Sequence, residues 1–554
     1  MSKFEILGLI FSFAGGLGMF LYGMNVMADG LQKSAGNKLK QLLGYLTRNP
    51  FIGAIVGMLV TSIIQSSSAT TVMVVGFVNA GLMNLSQAVG VIMGANIGTT
   101  VTAWLVSMNE WGALFKPDFF APLLVGIGAF TILFSGKKEK RKDIGEILVG
   151  FGLLFIGLNI MSDVIKPFQD SPVFSKAFVA LGRNPLLGIL VGVIVTAIIQ
   201  SSSASVGILQ TLAMNGVVNW SSAIFITLGQ NIGTCVTAML SSIGANKTAK
   251  RAATIHLLFN VVGAVIFGII MYIVFMVSPQ FASSKINSVE ISMFHTVFNL
   301  TNTIILFPFA ELLVKLSGVF IREKTKVDDE DEYEVSLRHL DERIFKSPSF
   351  AVENVIKEIV NLGKITFDNT KNSIEALLEN DEQMANRVFE VEKVIDKHTK
   401  LIIDYLIKIT NLSLTEKQHL IVKNLFYTVS NIERVGDHAE NIAELAIEKI
   451  ENSIHFSDQA YRELKEICDT TISALENAIK ARETGNITYV ANVEQMEKMV
   501  DVLWEDLRQA HIERLSQGIC NSETGIIFID TLTNLERISD HSLNIAQFIE
   551  DDQD

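Results

Sequence analysis

Two stretches without any charged side chain constrain this chain more than any other feature of its sequence. No Asp, Glu, Lys or Arg occurs from Asn49 to Asn109, and none occurs from Asn184 to Asn246. Over stretches of that length a soluble domain needs charged side chains on its surface. Both stretches are therefore predicted to lie inside a membrane, which excludes a wholly soluble protein.

Charge divides the chain of 554 residues into two parts. Residues 1–321 carry a net charge of +8, whereas residues 322–554 carry a net charge of −21. The first part contains apolar runs of about the 20 residues that a bilayer requires, at 6–29, 86–108, 119–136, 144–165, 221–243, 252–277 and 291–318. We therefore predict an all-α, polytopic membrane domain over 1–321, a charged linker over 322–345 and a soluble helical-bundle domain over 346–554. The acidic second part argues against nucleic-acid binding.

An internal repeat indicates how the membrane domain is organised. Residues 48–107 align with residues 183–242 without a gap, and 29 of the 60 positions are identical. With the helix that precedes each copy, the repeats cover about 16–107 and 150–242. Three predicted crossings separate the copies, so the second copy lies upside down relative to the first. Inverted repeats of this kind are typical of secondary transporters.

Each repeat also contains two apolar runs that are too short to cross the bilayer and are joined by a polar tip. The tips are Gln65-Ser66-Ser67-Ser68 and Gln200-Ser201-Ser202-Ser203, and the flanking runs are 51–64, 69–83, 186–199 and 204–218. A helix of 14 residues is about 21 Å long, whereas the hydrocarbon core is about 30 Å thick. We predict two re-entrant hairpins that enter from opposite sides, each with its tip at membrane depth.

Short loops with clusters of Lys and Arg orient the predicted membrane domain. Such clusters lie at 33–48, 137–142 and 247–251, and positively charged loops are typically cytoplasmic. With seven crossings, this orientation places the N-terminus outside and the C-terminal domain in the cytoplasm. The predicted location is the cell membrane (plasma or inner membrane).

The polar tips have the chemistry of an anion site. A serine before a helix caps its first N–H groups, and these groups attract anions together with the helix dipole. The candidate solute-binding residues are Gln65, Ser66, Ser67, Ser68 and Thr70 in the first copy, and Gln200, Ser201, Ser202, Ser203 and Ser205 in the second. Two such helix ends with several hydroxyl groups suit a tetrahedral oxyanion.

Two glycine-containing segments further along the repeats are candidate sodium sites. Gly94–Thr99 and Gly229–Thr234 are predicted to interrupt their helices, because glycine inside a helix costs about 1 kcal/mol against alanine. The freed carbonyl groups, with Asn96, Thr99, Asn231 and Thr234, would then supply oxygen ligands. No Lys or Arg lies near the tips to compensate a divalent anion, so a co-bound cation is expected. The alternative is that the Ser, Thr and Gly residues only allow close helix packing.

The paired motifs resemble a known family of carriers. The duplicated QSSSA with its GxNIGT partner resembles the sodium–phosphate cotransporters, the bacterial relatives of the animal type II carriers. The resemblance implies sodium-driven transport of inorganic phosphate, with both ions held by the two QSSS runs and no cofactor beyond the transported sodium. Cys235 replaces Thr100 in the second copy, which leaves it open whether the two GxNIGT segments act equally.

The C-terminal part contains a second duplication. The string from Glu433 to Ile442 recurs from Glu536 to Ile545, and the pair Glu392 and Asp396 recurs downstream. Each ExxxD pair places two carboxylates on one helix face; the pairs are Glu392/Asp396, Glu433/Asp437, Glu497/Asp501 and Glu536/Asp540. The strings resemble the PhoU family of phosphate-signalling regulators. That resemblance implies a pair of three-helix bundles and, in some members, a multinuclear metal cluster bound by these carboxylates.

Two interpretations of these carboxylates stay open. Oxygen ligands suit iron, manganese or magnesium, whereas Arg434 and Arg537 could instead pair with the neighbouring acids. A metal cluster in this domain is therefore one of two expectations.

Taken together, the sequence predicts a sodium-coupled phosphate symporter with a cytoplasmic, PhoU-like regulatory domain. It is not predicted to be an enzyme, because it contains no nucleophile–base constellation and no nucleotide-binding fingerprint. Its expected partners are inorganic phosphate, sodium and the lipid bilayer; a homo-oligomer and a regulatory partner of the C-terminal domain are left open. The alternatives are a sodium-coupled carrier of another oxyanion, such as arsenate, sulfate or a dicarboxylate, and a membrane-anchored phosphate sensor.

Overall fold

The described residues are almost entirely α-helical, as predicted. The structure is a computed structural model that describes residues 3–46, 49–111, 117–136, 139–168, 171–321 and 340–551. The helices of the first part are α1 (Lys3–Leu46), α2 (Pro50–Ile64), α3 (Ser67–Asn79), α4 (Leu85–Ser107), α5 (Pro117–Leu133), α6 (Glu139–Ile165), α7 (Pro172–Arg183), α8 (Pro185–Ile199), α9 (Ser202–Met214), α10 (Trp220–Ser241), α11 (Lys247–Val277), α12 (Pro279–Ser283), α13 (Ser288–Leu306) and α14 (Ala310–Phe320). Those of the second part are α15 (Pro348–Glu379), α16 (Glu382–Thr410), α17 (Glu416–Glu451), α18 (Asp458–Thr484), α19 (Ile487–Ser516) and α20 (Ser522–Asp551).

Within the described ranges, six segments are long and apolar enough to cross a membrane, against the seven predicted from the sequence. They lie in α1, α4, α6, α10, α11 and α13 with α14. The seventh predicted crossing, 119–136, corresponds to α5, whose 17 residues span about 25 Å. α5 packs antiparallel to α6, because Gly152 approaches Ala121 and Gly145 approaches Gly128. α5 therefore leads the chain from the end of α4 back to the side of the unit on which α6 begins.

Polar contacts between loops define two sides of the membrane unit. On side A, which carries Asn79 and Asn246, the Asn246 backbone N–H donates to the Asn79 side chain at 2.8 Å. On side B, which carries Glu110 and Ser288, the Ser288 backbone N–H donates to the Glu110 carboxylate at 2.6 Å. α4 follows Asn79 and precedes Glu110, so it runs from side A to side B. α10 precedes Asn246 and runs in the opposite direction.

The two predicted hairpins enter this unit from opposite sides. α2 lies parallel to α4, since Gly90 lies against the Pro50 carbonyl group and Gly98, two turns later, lies against that of Met58. α8 lies parallel to α10 in the same way, with Gly229 against the Ile189 carbonyl group and Gly233 against that of Val193. Hairpin 1 (α2 and α3) therefore enters from side A, and hairpin 2 (α8 and α9) enters from side B. The inverted arrangement predicted from the repeat is present in the structure.

The predicted helix interruptions at Gly94–Thr99 and Gly229–Thr234 are wrong. α4 and α10 continue without a break through both segments. The glycines instead allow the backbones of α2 and α4, and of α8 and α10, to approach more closely than any side chain would permit. No carbonyl groups are freed there for sodium.

The C-terminal part forms a second compact unit of long amphipathic helices, and its six helices agree with the prediction. The compact unit includes the chain from Phe350 onwards. Each helix turns an apolar face inward, and the core is built from fully buried side chains such as Val435, Leu464, Leu532 and Ile538.

A short segment before this unit packs against the membrane unit. Asp341–Ser349 belongs to the membrane unit by its contacts, and we call Asp341–Lys346 the clasp. Asn79, at the end of α3, donates a hydrogen bond from Nδ2 to the Asp341 carboxylate at 2.8 Å. Arg343 binds the same carboxylate through its guanidinium group at 3.0 Å. Residues 322–339 of the predicted linker lie outside the described residues, whereas the remainder of the linker contributes to the clasp.

Candidate functional site

Each hairpin tip is built by one left-handed residue followed by one capping serine. Gln65 has φ 57°, and its backbone N–H closes α2 by donating to the Thr61 carbonyl group. Ser66 then starts α3, because its hydroxyl group accepts a hydrogen bond from the Ala69 N–H at 3.1 Å. The second copy repeats this geometry, with Gln200 at φ 56° and Ser201 capping α9.

The two tips meet in the interior of the membrane unit. The Ser67 and Ser202 hydroxyl oxygens are 3.4 Å apart, and both side chains are buried. α3 and α9 both begin at this point, and the N-terminus of each helix carries a partial positive charge. Uncharged hydroxyl groups and two positive helix ends therefore converge here, and the two stretches that carry the tips, 49–109 and 184–246, contain no basic residue.

A pair of buried hydroxyl groups braces each hairpin below its tip. Thr61 on α2 donates to Thr70 on α3 at 2.9 Å. In the second copy, Thr196 on α8 donates to Ser205 on α9, also at 2.9 Å. Thr70 and Ser205, predicted to bind solute, thus hold the two arms of each hairpin together directly below the serines.

The two glutamines occupy different surroundings, although the sequence predicts equal roles. Gln65 is 5 % exposed; its carbonyl oxygen accepts a hydrogen bond from Thr102 at 2.9 Å, and its amide group donates to the Ser62 carbonyl group. Gln200 is exposed, and its side chain has no hydrogen bond to a described residue, whereas its backbone N–H donates to the Thr196 carbonyl group. The first tip is therefore locked to α4, whereas the second tip presents a free amide group.

The other predicted serines differ in exposure. Ser203 is buried, whereas Ser68 is partly exposed. The Ser68 carbonyl group accepts a hydrogen bond from Thr71 at 3.2 Å. Both serines lie in the first turn of their helices, where backbone N–H groups have no partner within the helix.

The predicted sodium ligands mostly bind their own helix. The side chains of Asn96, Thr99 and Thr234 donate to carbonyl groups four residues earlier. Asn231 is different, because its side chain contacts α13: it donates to Asn299 at 3.2 Å and lies 3.1 Å from His295 Nε2. All four side chains are buried, so they line the interior of the unit without forming a gap in α4 or α10.

Gln230, which lies beside the second tip, is a further candidate that the sequence did not predict. Its amide nitrogen donates to both the hydroxyl and the carbonyl oxygen of Ser205 at 2.9 Å. Its amide oxygen is buried and has no hydrogen-bond partner in the described structure. The equivalent residue of the first copy is Ala95, so the comparison of the repeats gave no signal for this position.

The second unit brings together carboxylates from the two ExxxD pairs in the second copy of its duplication. Oxygens of Glu497, Asp501 and Asp540 lie within 4.8 Å of one another. Burial raises the pKa of Glu497, and the neighbouring Asp501 raises it further. Glu536 lies beside Asp540, and burial together with the charge of Asp540 likewise raises the pKa of Glu536.

The corresponding first group contains one deeply buried acid. Glu392 is 4 % exposed, and neither of its oxygens has a hydrogen-bond partner in the described structure. Burial raises the pKa of Glu392 to about 8, and the nearby Asp437, Asp396 and Glu433 add to the rise. Gly436 makes room for this carboxylate, since a Cβ there would lie 2.8 Å from its oxygens.

These groups fit a cation with oxygen ligands, because clustered carboxylates that repel one another are stabilised by a positive charge. Ion pairing, the alternative from the sequence, also occurs: Arg537 contacts Asp540 at 3.2 Å and Glu536 at 3.4 Å. In such a site Glu497, Asp501 and Asp540 would hold the metal, while Arg537 would orient Asp540.

Replacement of Glu497 by glutamine is expected to weaken manganese binding by the metal-stripped, full-length protein. The change removes one of three clustered carboxylates, and even indirect partners of a metal typically contribute about 10- to 100-fold in affinity. The measurement is calorimetric titration with Mn²⁺. Glu505→Gln, an exposed position on the same helix, is the matched control. Equal affinities of the two variants would favour ion pairing as the role of these acids.

Two profile matches cover most of the chain. The Na+/Pi-cotransporter family matches residues 19–163 and 170–292. The PhoU domain matches residues 359–446 and 464–549.

Individual relatives cover either the whole chain or parts of it. The chain is 24% identical to YjbB of Salmonella typhimurium, named as a candidate inorganic phosphate export protein, over 97% of both chains. It is 28% identical to the uncharacterized protein YqeW of Bacillus subtilis, over 57% of this chain and 99% of YqeW. It is also 36% identical to part of sodium-dependent phosphate transport protein 2A of Rattus norvegicus. That match covers 18% of this chain and 16% of the rat protein. The chain therefore joins a multi-pass membrane unit that matches the Na+/Pi-cotransporter family, a family of transporters rather than enzymes, to a unit that matches the PhoU domain.

Proposed function

We propose that this protein carries inorganic phosphate across the cell membrane together with sodium, and that phosphate binds between the two hairpin tips. In this proposal side A is cytoplasmic, the N-terminus lies outside and the PhoU domain regulates transport from the cytoplasm. The proposed binding residues are Gln65, Ser66, Ser67, Ser68, Thr70, Gln200, Ser201, Ser202, Ser203 and Ser205 for phosphate, with Asn96, Thr99, Asn231 and Thr234 around them.

The observation that carries the proposal is the contact between Ser67 and Ser202. It joins two helix N-termini that arrive from opposite sides, each with unsatisfied N–H groups. A phosphate ion has four oxygens that accept hydrogen bonds, and hydroxyl and N–H donors surround this point. A site between two hairpins that enter from opposite sides suits alternating access.

Sodium is proposed because the site contains donors for an anion but no cationic side chain. Helix ends offset only part of the charge of a divalent anion, and a bare charge at membrane depth is costly. The unpaired amide oxygen of Gln230, next to Ser205, is suited to a hard monovalent cation. The name of the rat relative, a sodium-dependent phosphate transport protein, agrees with this coupling.

Regulation by the PhoU domain is supported by the clasp. The clasp connects the chain that leads into α15 with the end of α3, which is the arm of hairpin 1 that begins at Ser67. A change in the PhoU domain that displaced the clasp would therefore act on a helix that carries the proposed site.

The test is uptake of radioactive phosphate by proteoliposomes under an inward gradient of sodium, lithium, potassium or protons. We expect only the sodium gradient to drive accumulation, and unlabelled phosphate to compete much better than sulfate. Equal uptake without sodium would contradict the coupling, and the absence of any flux would favour the sensor.

The net direction in the cell needs a separate measurement, because the name of the Salmonella relative refers to export. Efflux from phosphate-loaded proteoliposomes, with sodium on the loaded side, measures the opposite direction of the same cycle.

A further inference from the structure

The surface around the start of hairpin 2 contains two adjoining grooves that the transport proposal does not use. α7 meets α8 at an angle of 111°, at Asn184. Such a sharp turn at the start of a membrane hairpin places α7 along the membrane surface, as expected for an amphipathic helix. Arg183 is the last residue of α7 and lies at this corner.

The first groove is apolar and lies between α8, α10 and α11. It has a volume of about 570 Å³ and is lined by residues such as Ile189, Ile232, Ala264, Val265 and Gly268. Gly268 lies at the buried floor of this groove, where a Cβ would make ordinary contacts of 3.9 Å with Ile189 and Leu228. The outer faces of α8 and α11 carry exposed apolar side chains, including Leu190 and Ile269, so the groove opens where bilayer lipid surrounds the protein.

The second groove is more polar and continues from the first on the other side of Arg183 and Tyr272. It has a volume of about 440 Å³, and its lining includes Asn219, Ser221 and Ser283. Arg183 and Tyr272 line both grooves. No acidic residue lines either one.

The positive charge of Arg183, where the two grooves meet, indicates the kind of ligand that the grooves would bind. Arg183 is exposed, and no described carboxylate forms an ion pair with it. Arginine and tyrosine at the headgroup level are typical anchors for lipid. These three features follow one another in the order of a phospholipid. The apolar groove matches an acyl chain, the free guanidinium group matches a phosphate group and the polar groove matches a polar headgroup.

We propose that these grooves bind one anionic phospholipid. Its acyl chain lies between α8 and α11, its phosphate group binds Arg183 and its headgroup lies beside Ser221 and Ser283. Because α8 is one arm of hairpin 2, the lipid braces the outer face of the arm that leads to the second tip. The site is separate from the proposed phosphate site at the tips.

The test measures lipid retained by the purified, full-length protein, by native mass spectrometry in detergent with added phosphatidylglycerol or phosphatidylcholine. We expect wild-type protein to retain phosphatidylglycerol preferentially. Arg183→Gln should reduce that preference about fivefold, the change that one basic residue beside an anionic membrane surface contributes. Lys176→Gln, an exposed position on the same helix that lines neither groove, should leave it unchanged.

Two further variants test the acyl-chain groove. Gly268→Leu fills its floor, and Val265→Trp fills it from the rim, where Val265 is exposed. Each should displace the lipid while the elution volume and the thermal midpoint stay those of a folded protein.

Three outcomes would overturn the proposal. One is equal retention of the two lipids by wild-type protein and by Arg183→Gln. The second is competition by free inorganic phosphate, which would assign Arg183 to a soluble anion. The third is lipid-independent dimers that Gly268→Leu abolishes, which would assign the grooves to a second copy of the chain. None of these measurements depends on transport, so a failure here leaves the proposed function untouched.

Discussion

Phosphate uptake is expected to be lost when Ser202 is replaced by valine. The Ser202 hydroxyl oxygen lies 3.4 Å from that of Ser67, at the point where α3 and α9 begin. Valine removes one donor and adds bulk at the point where the two tips approach each other. Ser202→Ala, which only removes the donor, should raise the KM for phosphate. A hydrogen bond to a charged group contributes about 1.5–3 kcal/mol, or about 10- to 100-fold in affinity.

The measurement is sodium-driven uptake by proteoliposomes containing equal amounts of each variant. Ser241→Ala is the matched control, because that hydroxyl group binds only the Ala238 carbonyl group near the end of α10. Wild-type KM values for both Ser202 variants would mean that the solute does not bind at the meeting point of the tips.

Replacement of either tip glutamine by alanine is also expected to abolish uptake, for different reasons. Gln65 is buried and bound to Thr102, so its loss should both disable the site and destabilise the fold by about 1–3 kcal/mol. The Gln200 side chain is exposed and makes no hydrogen bond in the described structure. Its loss should therefore stop transport while the thermal midpoint remains that of the wild type.

The partners of Gln65 provide the control for this difference. Thr102→Val should reproduce the loss of stability of Gln65→Ala, because it removes the same hydrogen bond. Thr237→Val, at the equivalent position of the second copy, should not, since Thr237 makes no such bond to Gln200. If both glutamine variants transported at the wild-type rate, neither side chain would take part in binding. Equal thermal midpoints for the two would contradict the asymmetry of the tips.

The hairpins and their meeting point could be predicted because the repeat marks them twice. Short apolar runs beside polar tips specify helices that cannot cross the bilayer, and the odd number of crossings between the copies specifies their inversion. Gln230 could not be predicted in this way, because the repeat does not mark it twice: its counterpart in the first copy is Ala95. A comparison of two copies detects what they share and overlooks what only one of them has.

The helix interruptions were predicted from a property that glycine has in isolated helices. Glycine weakens a helix in water, but in this fold Gly94 and Gly229 lie against the backbone of a parallel neighbour. Close packing then repays the intrinsic cost. Which of these effects dominates depends on where α2 and α8 lie, and a single sequence does not contain that information. The difference between Gln65 and Gln200 likewise depends on tertiary neighbours.

The clasp has a practical consequence for anyone who wishes to study the membrane unit without the PhoU domain. A truncated protein that ends at residue 321, where the last membrane helix stops, would lack the Asp341 carboxylate that holds the Asn79 amide group. It would also leave Gly76 without the Arg343 side chain that lies against it. A shortened protein that keeps the chain through Ser349 preserves both contacts, and its behaviour would report on the carrier rather than on a frayed end of the arm that leads to Ser67.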